Sequence, residues 1–216
     1  PHKTVRRQRQ MCIRDSLLWK LTKGDVYATD VSNAARTSLL NISTLDWDQD
    51  LIKLFELEKI NLPEIKKNAD DFGSTTLFGG DIKISGMAGD QQAALFGQTC
   101  FEAGDIKSTY GTGCFLILNT GNQILRSQNK LLTTIGYKID QEVVYALEGS
   151  IFIAGALIQW LRDKMKFFIS APESEGLAKI ANENSELIIV PSFTGLGAPF
   201  WNPDIKGSIH GISLDT

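Results

Sequence analysis

Three apolar segments with the alternation of β-strands follow one another closely between residues 106 and 149. They occupy residues 106–119, 131–139 and 143–149, and turn-forming residues separate them, Thr-Gly-Asn at 120–122 and Asp-Gln at 140–141. Strands joined by short turns pair with their neighbours in the chain. The sequence therefore predicts an antiparallel meander of three strands.

Helical patterns lie on both sides of this meander. The predicted helices are 16–23, 30–40, 45–57, 91–99, 155–168 and 173–183, and the further strands are 82–87 and a short buried one at 187–191. In the third helix we expect Asp46 to be the N-cap and Leu51, Leu54 and Phe55 to form the apolar face. The order of elements predicts an α/β fold, similar to the ribonuclease-H-like half of actin-like ATPases.

Composition excludes several classes of function. The formal net charge is −3, which gives no electrostatic support for binding nucleic acid. The longest apolar run, 151–158, is far shorter than the roughly 20 residues of a membrane span. Three scattered cysteines fit a reducing cytoplasm, and two histidines, His2 and His210, argue against a zinc site or a histidine-based triad. We therefore expect a cytoplasmic protein without nucleic-acid or membrane partners.

The first sixteen residues differ from the rest of the chain. They carry five basic residues and one acidic residue, with neither a signal-peptide core nor an amphipathic repeat. We interpret residues 1–16 as an unrelated or artefactual segment, with a basic targeting segment or a nucleic-acid-binding tail as the alternatives. The chain lacks a methionine at position 1 and ends at GISLDT within a strand-like pattern, which together indicate a fragment.

The clearest chemical signal is a glycine-rich turn that leads into a helix, SGMAGDQQAALFGQ at 85–98. Glycines let the backbone turn sharply and approach a ligand closely, and the start of a helix favours negative charge. Asp90 stands where a carboxylate can accept the proton of a substrate hydroxyl. The alternative is that Asp90 is only the N-cap of this helix.

Two further segments could bind a nucleotide. The sequence STYGTGCF at 108–115 places Thr109, Thr112 and backbone N–H groups at a hairpin tip that can hold phosphates, without being a Walker A motif. In EGSIFIAGALIQWLRD, Gly155 opens a helix to close approach, and Gln159 lies one turn later. The alternatives are an ordinary hairpin turn and a glycine packed at a helix–sheet contact. The loop PSFTGLGAPFWNP at 191–203 can equally be a tight connection.

Taken together, these segments resemble the FGGY carbohydrate kinase family, most closely its glycerol kinase branch. The resemblance covers residues 17–216, and the segments that carry it are TDVSNAARTSLLNISTLDWD, ISGMAGDQQAALFGQ, STYGTGCFLILNTG, LLTTIGY, YALEGSIFIAGALIQWLRD and VPSFTGLGAPFWNP. It implies an actin-like, ribonuclease-H-like two-domain kinase of which this chain holds two parts. Residues 17–98 would be the end of the first domain, and residues 99–216 the first half of the second.

The resemblance also implies roles for particular residues. Asp90 matches the family's catalytic base, which also binds a glycerol hydroxyl and can reach magnesium through water. Gln91 matches a second glycerol contact, and Phe115 matches the aromatic side chain that packs on the glycerol carbons. The implied ATP contacts are Gly111, Thr112 and Gly113 on the phosphate side, with Gly155 and Gln159. The implied reaction is the transfer of a phosphoryl group from Mg²⁺-bound ATP to a terminal hydroxyl of glycerol.

The departures from the family narrow this expectation. The family's first phosphate loop, its arginine–glutamate substrate clamp and its adenine-side loop have no match in this sequence, so we expect the chain alone to be inactive. The regulatory loop for fructose 1,6-bisphosphate reads FGGDIKISG here and has no arginine, which argues against that regulation. The resemblance implies a homo-oligomeric parent protein. The alternatives are a related kinase for xylulose or gluconate, and an actin-like nucleotide-binding module without catalysis.

Overall fold

The computed structural model describes residues 13–182 and 185–213, which form a mixed α/β fold. The α-helices are α1 (Ile13–Leu21), α2 (Val31–Ala34), α3 (Gln49–Leu54), α4 (Asp90–Gly97), α5 (Gly155–Asp163) and α6 (Glu173–Ile180). The first strands are β1 (Ala28–Asp30), β2 (Leu40–Asn41), β3 (Asp46–Trp47), β4 (Glu64–Lys66), β5 (Ser74–Thr75) and β6 (Ile82–Lys83). The later strands are β7 (Ile106–Tyr110), β8 (Cys114–Gly121), β9 (Leu132–Ile139), β10 (Glu142–Ile151), β11 (Ile188–Val190) and β12 (Ser208–His210).

Strands β7 to β10 form a four-stranded sheet in the order β7-β8-β10-β9. The predicted meander is therefore wrong in its order, because β8 lies beside β10 and not beside β9. The lengths of the connections explain the difference. Only residues 140–141 join β9 to β10, so these two strands must be neighbours. The ten residues between β8 and β9 can extend over about 33 Å, several times the strand spacing, so β9 is free to skip one position.

The chain divides into two compact units, and the four strands of this sheet contribute residues to both. The first unit extends through Lys107 and adds Leu118–Leu125 and Thr133–Leu147. The second comprises Ser108–Ile117, Arg126–Leu132 and the residues from Glu148 onward. The division at residues 98 and 99 that the family resemblance implies remains a prediction.

The first unit contains two apolar clusters. One gathers buried residues of α2, β2, β9 and β10, namely Val31, Ala34, Leu40, Ile135 and Tyr145. The other joins Leu18 of α1 and Ala28 of β1 to Phe72, and all three are buried. Strand β1 pairs in parallel with β4 through the partners Ala28 and Glu64. The end of β1, where Asp30 begins α2, is thereby fixed between these two clusters.

In the second unit, the described residues of α5 and α6 include no buried side chain. Strands β11 and β12 pair antiparallel, with Ile189 opposite Ile209. Ile188 is 59% exposed, so the expectation of a buried strand at 187–191 is wrong. The strand lies in a two-stranded sheet, which leaves one side of each strand without a backbone partner. Residue 183 of the predicted helix 173–183 lies outside the described residues.

The helix predicted at 45–57 is shorter than its pattern indicates. Residues Asp46 and Trp47 form β3, which pairs with β2, so Asp46 is not the N-cap. Asp48 is the N-cap, and its carboxylate accepts hydrogen bonds from the N–H groups of Asp50 and Leu51. Within this six-residue helix the buried side chain is Ile52. The expected apolar face is wrong, because Leu54 and Phe55 are 71% and 55% exposed.

Helix α1 begins at Ile13, three residues before the predicted start at Ser16, and thus includes the last residues of the segment interpreted as unrelated. Residues 1–12, with His2 and Cys12, and residues 214–216 of the final strand-like pattern lie outside the described residues. In the described part of the chain, Cys100 and Cys114 are free and buried. None of the helices described has the length and apolar character needed to cross a membrane.

Candidate functional site

Asp90 is the first residue of α4, and it is not the residue that caps this helix. The N-cap is Gly89, whose extended backbone (φ −60°, ψ 146°) makes no side-chain capping bond. The Asp90 side chain is 75% exposed, and its Oδ1 lies 3.4 Å from Nη2 of Arg14. The capping alternative for Asp90 is therefore wrong. Its carboxylate is accessible and can accept a proton.

The turn before Asp90 is bound to a buried polar network. Ser32 Oγ accepts a hydrogen bond of 2.8 Å from the N–H of Gly89. The Asp30 carboxylate caps α2 and accepts further bonds from Ser32 Oγ and from Nδ2 of Asn68. The sequence predicts a helix that begins at residue 30, but nothing in the sequence connects its first residues with the distant turn at Gly89.

Gln91 follows Asp90 on α4, and a buried lysine orients its side-chain amide. The ammonium group of Lys107, on β7, donates a hydrogen bond to Oε1 of Gln91. Lys107 is only 1% exposed. Because its oxygen accepts this bond, the amide of Gln91 keeps its NH₂ group to donate elsewhere. Lys107 was not predicted as a site residue, because a single lysine within a strand pattern does not indicate a functional role.

The hairpin tip between β7 and β8 contains the three residues expected to contact phosphates. The N–H of Gly111 donates to the carbonyl of Gly113 at 2.8 Å, which closes the tip, and Thr112 is exposed. Gly113 is buried, and a Cβ atom there would collide with the carbonyl oxygen of Ile151. The tip therefore requires glycine for close backbone packing.

The N-terminus of α5 is attached to this tip. The N–H groups of Ala154 and Ala156 donate to the carbonyl of Thr112 at 2.8 and 3.1 Å, and that of Gly155 donates to the carbonyl of Gly111 at 3.0 Å. A Cβ atom on Gly155 would lie 2.6 Å from the same Gly111 oxygen. The packing alternative for Gly155 is thus supported, with the hairpin tip as its partner. These N–H groups are not available for a phosphate.

The structure gathers the expected residues in two groups, one in each unit. Asp90 and Gln91 are adjacent in the first unit. In the second unit Gly155 packs on the hairpin tip, exposed Gln159 lies one turn further along α5, and half-buried Phe115 lies in β8. Thr109 lies in β7, just before the tip.

Residues 13–182 and 185–213 contain no cluster of three or more histidine, cysteine or acidic residues that would hold a metal by themselves. Magnesium bound to a nucleotide needs few protein ligands, because water and phosphate oxygens complete its coordination. The exposed Asp90 carboxylate fits such an ion, which it would bind through water. Bound there, the ion would neutralise charge on the phosphates.

A cavity of about 430 Å³ lies on another side of α4. Its lining is mostly apolar and includes Met87, Phe96 and Tyr137. Burial raises the pKa of the Tyr137 hydroxyl, and the negative charges of Glu142 and Glu102 add to this effect. Such a lining does not suit a phosphate, so this cavity is not a candidate for the phosphate-binding part of the site.

Comparison with known proteins agrees with this division into two groups. The sequence model of the N-terminal domain of the FGGY family of carbohydrate kinases matches residues 1–97. The model of the C-terminal domain of the same family matches residues 106–216. The two matches together cover nearly all of the chain.

The chain is 55% identical to glycerol kinase from Streptococcus uberis over 203 residues, which are 93% of this chain and 41% of that protein. The crystal structure of Plasmodium falciparum glycerol kinase with ADP matches 94% of this chain and 41% of that one, with a TM-score of 0.83 and 41% identity. Xylulose kinase from Lactobacillus acidophilus shares the fold at a TM-score of 0.77 and 24% identity. The chain thus spans about two fifths of the length of these relatives. It has the α/β fold of these kinases, and it belongs to the FGGY family of carbohydrate kinases.

Proposed function

We propose that this chain is part of an ATP-dependent glycerol kinase, which transfers the γ-phosphoryl group of ATP to glycerol and forms sn-glycerol 3-phosphate. The observation that carries the proposal is the exposed carboxylate of Asp90, which begins α4 without capping it. The S. uberis relative, 55% identical to this chain, is named a glycerol kinase.

In this proposal Asp90 is the catalytic base. It accepts the proton of the attacking glycerol hydroxyl, and the oxygen then forms a bond to phosphorus while the bond to the leaving ADP breaks. Phosphoryl transfer depends mainly on positioning and on stabilisation of charge, so one well-placed carboxylate is sufficient as base. Gln91, with its amide oxygen bound to Lys107, presents NH₂ as a donor to a second hydroxyl.

Phe115 would contact the carbon atoms of glycerol. ATP would contact the tip at Gly111, Thr112 and Gly113, where the Thr112 side chain is exposed, and the surface of α5 at Gly155 and Gln159. Magnesium would bind to the phosphates and reach Asp90 through water.

The proposal extends to the whole protein. We place it in the cytoplasm, where the free thiols of Cys100 and Cys114 remain reduced. We expect a homo-oligomer that binds neither nucleic acid nor membranes. The loop FGGDIKISG lacks an arginine, so we expect no regulation by fructose 1,6-bisphosphate.

The test of the base is Asp90→Asn in the full-length protein that contains this chain. We expect glycerol phosphorylation to fall by at least about 1,000-fold, because the amide cannot accept the proton, while ATP still binds. The matched control is Asp50→Asn, which neutralises another exposed carboxylate in a first helical turn of the same unit. Unchanged turnover of Asp90→Asn contradicts the assignment of the base.

The substrate is tested by assaying the full-length protein with glycerol, xylulose and gluconate. Activity on glycerol alone is expected, whereas activity on xylulose or gluconate without glycerol supports the related sugar kinases. ATP binding without any phosphorylation supports the non-catalytic module. The 216-residue chain assayed alone is expected to be inactive, because positioning of both substrates supplies most of the catalysis.

A further inference from the structure

We propose that Ser32 and Asp30 are positioning residues that hold the Gly89–Asp90 turn in place for phosphoryl transfer. The inference rests on the proposed role of Asp90 as base. It concerns two residues that touch no substrate and act through the backbone of the turn.

Asp30 is fully buried and is the fixed point of this network. Its Oδ2 accepts hydrogen bonds from the N–H of Ser32 at 2.8 Å and from that of Asn33 at 3.2 Å. The same carboxylate also accepts bonds from the Ser32 hydroxyl and from Nδ2 of Asn33. A buried carboxylate needs several donors of this kind to offset the loss of hydration, so its neighbours are fixed in direction.

Ser32 connects Asp30 to the turn by hydrogen bonds. Its hydroxyl donates a hydrogen bond to the Asp30 carboxylate, so both lone pairs of Oγ can accept hydrogen bonds. One accepts a hydrogen bond from the N–H of Gly89 at 2.8 Å. Nδ2 of Asn68 lies 3.1 Å from Oγ and shares one of its two hydrogens between Ser32 and Asp30. The Ser32 side chain is fully buried, so water cannot replace these bonds. Capping of α2 needs only the Asp30 carboxylate and backbone N–H groups, and the bond to Gly89 goes beyond that structural role.

Asn68 forms hydrogen bonds with Met87, at the start of the same turn. Its Nδ2 donates to the carbonyl of Met87 at 3.0 Å, and its backbone carbonyl accepts the N–H of Met87 at 2.9 Å. Its Oδ1 accepts the N–H of Lys138 on β9 at 2.7 Å. The turn is therefore attached at Met87 through Asn68 and at Gly89 through Ser32, three residues and one residue before Asp90, respectively.

These attachments matter because the turn is glycine-rich and the Asp90 side chain is mostly exposed. Glycine at positions 86 and 89 gives the free backbone many conformations. A base must lie within hydrogen-bond reach of the hydroxyl it deprotonates, and a displacement of about 1 Å costs about 100-fold in rate. The buried network supplies the rigidity that the turn itself lacks.

The decisive variant is Ser32→Ala in the full-length protein, which removes the acceptor for Gly89 and little volume. We expect kcat for glycerol phosphorylation to fall by at least about tenfold while KM for ATP changes by less than about twofold. The matched control is Thr22→Val. The Thr22 hydroxyl is also buried, donates to the carbonyl of Leu18 at 2.9 Å and accepts the N–H of Val26 at 3.2 Å, away from the turn. The control should keep kcat within about twofold.

Two further variants separate positioning from general stability. Ser32→Cys keeps a side chain of similar shape but replaces the hydroxyl oxygen with sulfur, which is a weak acceptor. We expect its kcat to fall by at least about tenfold as well, and this variant serves as the test if Ser32→Ala does not fold. In an Asp90→Asn background, Ser32→Ala should lower the residual rate no further, because both changes affect the same step.

The proposal is overturned if Ser32→Ala and Ser32→Cys keep wild-type kcat while Asp90→Asn loses it. It is also overturned if Thr22→Val lowers kcat as much as Ser32→Ala does, since the effect then reflects stability alone. If Asp90→Asn itself keeps its turnover, the proposed base fails, and that result is distinct from the other two.

Discussion

The buried ammonium group of Lys107 donates a hydrogen bond to Oε1 of Gln91, the residue that follows Asp90 on α4. Lys107 is one of the least exposed side chains in the described residues, at 1%. Burial of a charged group is costly unless polar partners compensate. This contact fixes which end of the Gln91 amide faces outward, and it thereby makes the residue a donor rather than an acceptor.

We expect Lys107→Met in the full-length protein to raise KM for glycerol about tenfold with a smaller change in kcat. The amide of Gln91 can then flip, which would weaken the proposed hydrogen bond to glycerol by about 1.4 kcal/mol, the equivalent of a factor of ten. Steady-state kinetics at saturating ATP measure the effect. Lys83→Met, at an exposed lysine of β6, is the control and should leave KM unchanged. A normal KM in Lys107→Met contradicts the orienting role.

We expect Gly155→Ala to raise KM for ATP and to lower the melting temperature by several degrees. The new Cβ would lie 2.6 Å from the carbonyl oxygen of Gly111, so α5 and the hairpin tip must move apart. Gly176→Ala is the matched control, because Gly176 is an exposed helical glycine whose Cβ would meet no atom within 4 Å. That control should stabilise α6 by about 0.5–1 kcal/mol.

If Gly155→Ala melts at the wild-type temperature and binds ATP normally, the tip is not held by α5 in this way. If both alanine variants lose stability equally, the loss is a general effect of substitution and not of the contact with Gly111.

The sequence predicted the type of most elements because their signals are local. Gly24, with a φ of 92°, lies just after the predicted helix 16–23. Asp30 caps a helix that begins where the pattern indicated but ends at Ala34, well before the predicted residue 40. The prediction of Asp46 as N-cap was wrong because Asp46, Asp48 and Asp50 are all suitable capping residues. Asp46 pairs with β2 as part of β3, so the helix begins later and Asp48 is its N-cap. Capping preferences alone cannot resolve such a competition.

Contacts between distant segments were the part that could not be predicted. The position of β9 beyond β10 depends on a long connection that permits more than one strand order. Ser32 and Gly89 are 57 residues apart, and no periodic pattern relates them. Asp90 and Gln91 could be proposed together because they are adjacent in one motif, whereas their buried partners come from separate strands and turns.

We expect Asp70→Asn to destabilise the full-length protein at neutral pH and to lose this effect in acid. Partial burial opposes ionisation of the Asp70 carboxyl, but the N–H groups of Asp71 and Lys67 and the charges of Lys67 and Lys66 outweigh it and lower the pKa. The Oδ1 atom accepts the N–H of Asp71 at 2.8 Å, and Oδ2 accepts that of Lys67 at 3.3 Å.

A pKa that folding lowers contributes stability above the unfolded value of 3.8, and this contribution is lost as the pH falls through the lower, folded value. At pH 7 Asp70→Asn should therefore lower the melting temperature by a few degrees, in keeping with a loss of about 1 kcal/mol. Below the folded pKa the two proteins should melt together. Asp81→Asn, at an exposed position, is the control and should match wild type throughout. A difference between Asp70→Asn and wild type that stays constant from pH 7 into this acid range would show that the charge of Asp70 is not what stabilises the turn.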